Sequence, residues 1–373
     1  MNLIPFQLGR WHRRIGLLLA GLFAVVSGTV LPAPAQEFDQ SPFCVASDAS
    51  LTNSVQGRSY GDPHINTYDQ LHYSFQTLGE YVLSQSQDDS FVVQARQGRV
   101  GDRDSLSLNT AVALGVCGHR VGIYIQNAPD GRSPLWIDGV PAPRTGDALP
   151  LPAGGEVQFI GEDYAIIWPS GDQVRVHPIS VGGDDFINIM VTLDRSKIRL
   201  VSGLLGNFNG NPDDDLMSRG GSVLPAQSTY SVATDTLAGI LPAVIPVRRV
   251  EDAYFDNLYR QFGDSWRVRV NESLFDYGPG QSTATFSDPN FPREVFTLNA
   301  VPPADIEEAV ATCEEAGVEA DQMDGCVFDV AATGEPNFAN AALSAVGEVV
   351  VQELTDRLLD EVRDVVPIPR FPF

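Results

Sequence analysis

Between about residues 59 and 224 the chain is written in short alternating apolar runs broken by glycine-containing turns, with no helical period between them. That pattern restricts it to an antiparallel β architecture, a sandwich or a barrel. Val121, Ile123 and Ile125 alternate with Gly122, Tyr124 and Gln126, the period of two expected when one sheet face is buried. Residues 164–168 and 173–177 flank Pro169-Ser170-Gly171-Asp172, which predicts a hairpin. Residues 186–193 continue the alternation, and Asp138-Gly139 and Gly154-Gly155 supply further turns. From Pro225 to Val250 the rhythm is lost, as in a connection between domains.

Upstream, Arg10, His12, Arg13 and Arg14 precede an apolar run over 15–26, and Ala33-Pro34-Ala35 offers a small-residue cleavage site. This reads as a secretory signal peptide: the run is shorter than the roughly 20 residues a spanning helix needs, and prolines follow it at once. Its removal takes away three arginines and no acids, moving the formal charge from -24 to -27. So acidic a chain disfavours nucleic acid and anionic membranes as partners and favours divalent cations or basic ligands. Cys44, Cys117, Cys313 and Cys326 all lie beyond the signal, where two disulfides are expected, and no CxxC pair points to a zinc ribbon or redox site. Count alone leaves three connectivities open; pairing within each folding unit predicts Cys44–Cys117 and Cys313–Cys326.

Two helices are expected. Over 305–316, Ile306, Ala309, Val310 and Cys313 share a face, with Asp305 as cap, Glu308 three residues on and Gly317 as terminator. Near the end, Val350, Leu354, Leu358 and Val362 repeat every four residues, an amphipathic helix that docks on the body.

The chemistry concentrates in Gly206-Asn207-Phe208-Asn209-Gly210-Asn211-Pro212-Asp213-Asp214-Asp215, six Asn or Asp side chains in ten residues. Calcium takes six to eight oxygens at about 2.3–2.6 Å, and short side chains on a tight turn converge them. An Asn/Asp turn held by its own hydrogen bonds is the other reading. The helix-loop-helix calcium hand is not met, because Pro212 and Ser218 stand where its glycine and bidentate glutamate belong.

Gly61-Asp62-Pro63-His64-Ile65-Asn66-Thr67-Tyr68-Asp69, then Tyr73-Ser74-Phe75-Gln76 and Gly79-Glu80-Tyr81-Val82-Leu83, resembles the opening of von Willebrand factor type D domains. Gly203-Leu204-Leu205-Gly206 running into the Asn/Asp loop resembles their closing motif, and 262–277 is similar to the segment that often follows. The resemblance implies a β-sandwich holding one structural calcium ion through Asp69, Asn207, Asn209, Asp214 and Asp215, with main-chain oxygen near Asn211. It gives the chain a plan: signal peptide 1–35, N-terminal segment 36–58, type D domain 59–225, linker 226–251, a cysteine-poor and smaller mixed α/β region 252–338, and a closing helix with a Pro-rich tail 339–373. Ser202, Leu205 and Glu80 stand where the family commonly has cysteines, which sets this chain apart from relatives that multimerise through disulfides.

The expected function is therefore a secreted or extracytoplasmic, non-catalytic structural or adhesion module that meets an extracellular protein or glycan. One alternative is self-processing at Asp62-Pro63. The Asp carboxyl attacks its own carbonyl carbon, the proline nitrogen leaves, Gly61 gives the turn its freedom and His64 supplies the proton. Some mucin and repulsive-guidance-molecule relatives are cleaved within the same four residues. A secreted hydrolase is the third reading, with no G-x-S-x-G elbow, phosphate loop or dinucleotide fingerprint to carry it. His64 and His72 near Asp62 and Asp69 invite zinc, but no His-Glu-x-x-His spacing is present and a histidine pair on strands is ordinarily a hydrogen-bonded feature.

Overall fold

The computed structural model describes residues 38, 40–46, 53–225, 254–318 and 320–344. The expected signal peptide, the linker, and the closing helix over 350–362 with its tail lie outside the described residues.

Strands are numbered in chain order. The first are β1 (Ser54–Tyr60), β2 (His64–Asn66), β3 (His72–Ser74), β4 (Gly79–Ser86) and β5 (Phe91–Arg99). Next come β6 (Ser107–Val116), β7 (His119–Tyr124), β8 (Leu135–Ile137), β9 (Val140–Pro141) and β10 (Ala148–Pro150). The last are β11 (Glu156–Ile160), β12 (Asp163–Ile167), β13 (Gln173–Val181), β14 (Asp184–Asp194) and β15 (Val201–Ser202). They form two antiparallel sheets, in the order β10-β11-β12-β13-β14-β1-β2-β3 and β15-β4-β5-β6-β7-β8-β9. The chain is mainly β, as its alternation predicts.

Both sheets contribute to one buried core, with Val93, Val112 and Leu114 from one and Val174, Ile187 and Ile189 from the other. The hairpin expected around Pro169 is present, Ile167 standing opposite Gln173. On β7, Val121 and Ile123 enter the core, yet Tyr124 is buried too. The outer face of β6 and β7 is roofed by Phe275, and only alanines, Ala111 and Ala113, sit beneath it on β6. That roof explains why the alternation is sharper in sequence than in burial.

Tyr254, Leu258, Tyr259, Phe262 and Trp266 join the same core as the sheets, most of them from a π-helical stretch, Asn257–Gly263. Helices α1 (Pro303–Ala316) and α2 (Ala320–Thr333) cover a second cluster that includes Tyr60, Leu108 and Phe186. This smaller region is helical rather than mixed α/β among the described residues. Its extended pieces make only isolated bridges, Leu78 with Asp288 and Tyr81 with Arg267.

Helix α1 begins at Pro303, ahead of Asp305, which lies in the first turn without capping it. Proline presets the helical φ there and lacks an N–H that would have no helical partner anyway. Gly317 ends the helix at φ +80°, as expected. Helix α2 has no clear sequence signature, since Gly325 and a mixture of alanines and acids blur its apolar stripe. Cys44 is joined to Cys117 and Cys313 to Cys326, the pairing that locality predicts, and no cysteine is free.

Candidate functional site

Two polar sites flank the loop that joins β2 to β3. The first is the Asn/Asp loop, which follows β15 and folds back on Asp69. Asn211 starts a single 3-10 turn, Pro212–Asp214, and accepts from Asp213 N at 3.3 Å, while Asn211 N donates to Asn209 Oδ1 at 2.7 Å. The loop is thus a self-bonded turn as far as its backbone goes.

Hydrogen bonds nonetheless tie its side chains to Asp69 and to one another. Asp69 Oδ2 accepts from Asn209 N at 2.9 Å. Asn207 and Asn209 each give an amide N–H to Asp214, at 2.9 and 3.0 Å. Asp215 is buried, accepting from Thr67 Oγ1 at 2.5 Å and from Asn207 N at 3.3 Å. Burial pushes the Asp215 carboxyl up to about 7, and repulsion from Asp69 and Asp214 adds to it against the Thr67 hydrogen bond. Burial would raise Asp214 as well, but the amides of Asn207, Asn209 and Asn211 outweigh it and leave Asp214 below its ordinary value.

Asn207 has turned its NH2 to Asp214, which leaves its Oδ1 buried without a hydrogen-bond donor. Gly206, at φ +85°, is required here, because a Cβ would collide with the Asp215 carboxylate. A cavity of about 140 Å³ reaches Asn207 and Asp215 past Gly203, Arg219 and Trp266. All five residues picked out for the ion, Asp69, Asn207, Asn209, Asp214 and Asp215, therefore sit in one hydrogen-bonded cluster. Thr67 belongs with them and carries no signal in the sequence.

The second site is the Gly-Asp-Pro-His turn between β1 and β2. Gly61 takes φ +58°, and a Cβ there would collide with Asp329. Its N–H donates to Asn188 Oδ1 at 3.0 Å, and the Pro63 carbonyl accepts from Phe75 N at 2.8 Å, so both sides of the turn are braced. Asp62, Pro63 and His64 are all buried.

His64 Nε2 lies 2.7 Å from Asp329 Oδ1 and 2.8 Å from Asp62 Oδ1, while its Nδ1 is 2.9 Å from Ser74 Oγ. The better-aligned Nε2–H bond is directed at Asp329, and Asp62 Oδ1 is ion-paired with the same nitrogen. Burial would lower the His64 pKa, but the Asp329 and Asp62 carboxylates outweigh it and carry it up to about 10. Asp329 is pushed well above the carboxylate range by burial and by repulsion from Asp62, against the pull of His64.

His72 is separate from this set: its ring stacks on His64 at 5.9 Å, and burial first, then the positive charge of His64 and Arg58, lowers its pKa to about 3. His64, His72 and Asp69 are not brought together as a ligand group among the described residues. Among the described residues, the one group of three His, Cys, Asp or Glu side chains whose ligand atoms all lie within 4.8 Å of one another is Asp62, His64 and Asp329. Its nitrogen–oxygen separations are those of charge-assisted hydrogen bonds, too short for an ion between the ligand atoms. Ser74, His64 and Asp329 also line up as a serine–histidine–aspartate chain, but they are 2%, 0% and 1% exposed, so no substrate in solvent touches them.

Residues 57–222 match the family model of the von Willebrand factor type D domain. The chain carries a type D domain. It is 26% identical over 297 residues to Sushi domain-containing protein 2 of Homo sapiens, covering 74% of this chain and 30% of that protein. With Mucin-4 of Mus musculus it shares 26% over 183 residues, 46% of this chain and 5% of the mucin. With Mucin-5B of Gallus gallus the figure is 25% over 222 residues, 57% of this chain and 9% of the mucin. The chain thus spans less than a third of the length of each of these relatives.

Within the type D domain, Glu80 is wholly buried. It receives Arg96 Nε at 2.8 Å and the Tyr277 hydroxyl at 2.6 Å. The Arg96 guanidinium lies 3.6 Å from the Phe286 ring centre and 4.5 Å from that of Phe275. An ion pair inside an aromatic box thus fastens the segment after the domain to β4 and β5.

Proposed function

We propose that the chain is a non-catalytic, extracytoplasmic structural or adhesion module whose type D domain is stabilised by one calcium ion. The observation that carries this reading is the buried, donorless Asn207 Oδ1 beside the buried Asp215 carboxylate, in a cluster with Asp69, Asn209 and Asp214. A buried carbonyl without a donor and crowded carboxylates are costly unless a cation completes them. An all-oxygen donor set on short side chains suits a hard divalent ion. Asp69, Asn207, Asn209, Asp214 and Asp215 would hold it, with main-chain oxygen near Asn211; bound, the ion supplies charge neutralisation and no turnover. The two disulfides support an oxidising destination. With all four cysteines paired internally, the ligand is a non-covalently bound extracellular protein or glycan. Calorimetric titration of the exported protein with calcium is expected to give one site, lost in Asp214→Ala. Absence of binding to the wild-type protein would remove the ion from this reading.

A second reading, self-processing at Asp62-Pro63, is favoured by one observation of its own. The bond is buried, so proteases do not reach it in the fold, while the Asp62 carboxylate beside it is paired at 2.8 Å with a histidine whose pKa is carried up to about 10. An Asp62 oxygen attacks the Asp62 carbonyl carbon, the bond to Pro63 breaks, the nitrogen takes a proton and a cyclic anhydride forms. Water then opens it to the free Asp62 carboxyl. The Cys44–Cys117 bridge and the β1–β14 ladder would keep both pieces together. Reducing electrophoresis that shows a new N-terminus at Pro63, absent in Asp62→Ala, supports this chemistry; a single uncut band at both pH 5 and pH 7 removes it.

A further inference from the structure

We infer that Asp62, His64 and Asp329 form a proton-dependent latch, which docks helix α2 on the Gly-Asp-Pro-His turn while the two carboxyl groups share one proton and loosens it when that proton is lost.

Charge counting at a dry contact carries the inference. Asp329 reaches across from α2, and its carboxyl fills the space left by the missing side chain of Gly61. It accepts from His64 Nε2 at 2.7 Å and is hydrogen-bonded with Asp62, which pairs with the same nitrogen at 2.8 Å. All three side chains are at most 1% exposed. A hydrogen bond between two carboxyl groups needs a proton on one of them, and like charges this close and this buried do not both ionise. One imidazolium and one carboxylate already balance, so a second carboxylate would be an uncompensated buried charge. Asp329 is the group that keeps the proton, since burial and Asp62 both push it well above the carboxylate range.

The surroundings do not relieve this. Around the cluster stand the rings of Tyr60 and Tyr259, the neutral His72 and the Ser74 hydroxyl, while Arg58 is bonded to the Gln322 amide instead. The rest of the docking contact does not titrate near neutrality. Phe328 lies edge-on to His64 at 5.8 Å, Arg103 donates to the Ala332 and Thr333 carbonyls at 2.6 and 3.0 Å, and Asn188 Nδ2 donates to the Ala341 carbonyl at 3.0 Å. The pH dependence of docking therefore falls on the cluster. The Asp329 contribution is complete below its ordinary value of 3.8 and is lost as pH rises toward its raised one; that of His64 is complete below 6.5 and is lost through about 10. Both run the same way, so α2 is held most tightly in acid.

The test is hydrogen exchange of the full-length protein from pH 5 to 9, read as opening constants for α2 with β5 and β6 as the internal reference. One linked proton changes an equilibrium by up to about tenfold per pH unit. In wild type the α2 opening constant is expected to rise about tenfold or more from pH 5 to 7, with β5 and β6 unchanged. Asp329→Asn keeps a neutral group of the same shape, so it should hold α2 as tightly as wild type at pH 5 and remove the rise below pH 6.5. A flat wild-type profile, an undiminished rise in Asp329→Asn, or α2 opening in step with β5 and β6 overturns the latch. So does an Asp329→Asn protein loosened equally at pH 5 and pH 7, because Asp329 would then be acting as a carboxylate. Should Asp329→Asn fail to fold, Asp62→Asn decides in its place: it lets Asp329 ionise against His64, so the rise should vanish, and an undiminished rise overturns the latch.

Discussion

Glu80→Ala isolates the energetics of the buried Glu80–Arg96 clamp. Glu80 and Arg96 are 0% and 1% exposed, and the carboxylate meets Arg96 through Nε and a terminal nitrogen, both at 2.8 Å. Deleting the acid strands a buried guanidinium and removes the acceptor of the Tyr277 hydroxyl. Breaking a buried pair from one side costs about 3–5 kcal/mol. The rings of Phe275 and Phe286 offset part of this, on the order of 1–2 kcal/mol. A net loss of about 2–4 kcal/mol is expected, measured by urea unfolding at pH 7. Hydrogen exchange should then show residues 273–286 loosening first, because the clamp fastens them to β4 and β5. Glu80→Leu combined with Arg96→Met removes both charges and keeps the volume, so it should recover most of the loss. A single variant within 1 kcal/mol of wild type, or a double variant no more stable than the single, would refute this.

Two further outcomes follow from the helical region. Replacing Cys313 and Cys326 by serine opens a loop of 13 residues and is expected to cost about 3 kcal/mol in the chain-entropy account, seen as earlier melting of the helical circular-dichroism signal. Because the folded His64 pKa lies above 6.5, at about 10, its stabilisation is complete below pH 6.5 and lost as pH rises through 10. His64→Gln should flatten that alkaline decline, which runs at up to about 1.4 kcal/mol per pH unit, and a decline of unchanged slope would count against the buried ion cluster.

The sheets were legible in the sequence because strand alternation and turn chemistry are local. Residues 164–177 carry both halves of their hairpin and its turn. The Asn/Asp loop was legible for the same reason: its Asn and Asp side chains are crowded into ten residues. Asp69 could be added only through the resemblance, since nothing local joins it to Asn209 across 140 positions. Asp329 could not be found at all. It is one acid among many on a helix whose apolar stripe Gly325 interrupts, and its partner His64 lies 265 residues away. The helix start was misplaced because Pro303 outranks Asp305 at the first turn. Burial of Tyr124 was missed because its cover, Phe275, comes from a segment with no strand or helix period of its own.

The central claim, a cation completing the Asp69 and Asn207–Asp215 cluster, meets its most direct test in paired melting curves of the protein in calcium and in chelator. Ion binding to the folded state alone adds about 2.7 kcal/mol when calcium is a hundredfold above its Kd. Calcium is expected to raise the melting temperature by several degrees, chelator to reverse it, and Asp214→Ala to abolish the difference. Superimposable curves in calcium and chelator, for wild type and Asp214→Ala alike, would contradict it.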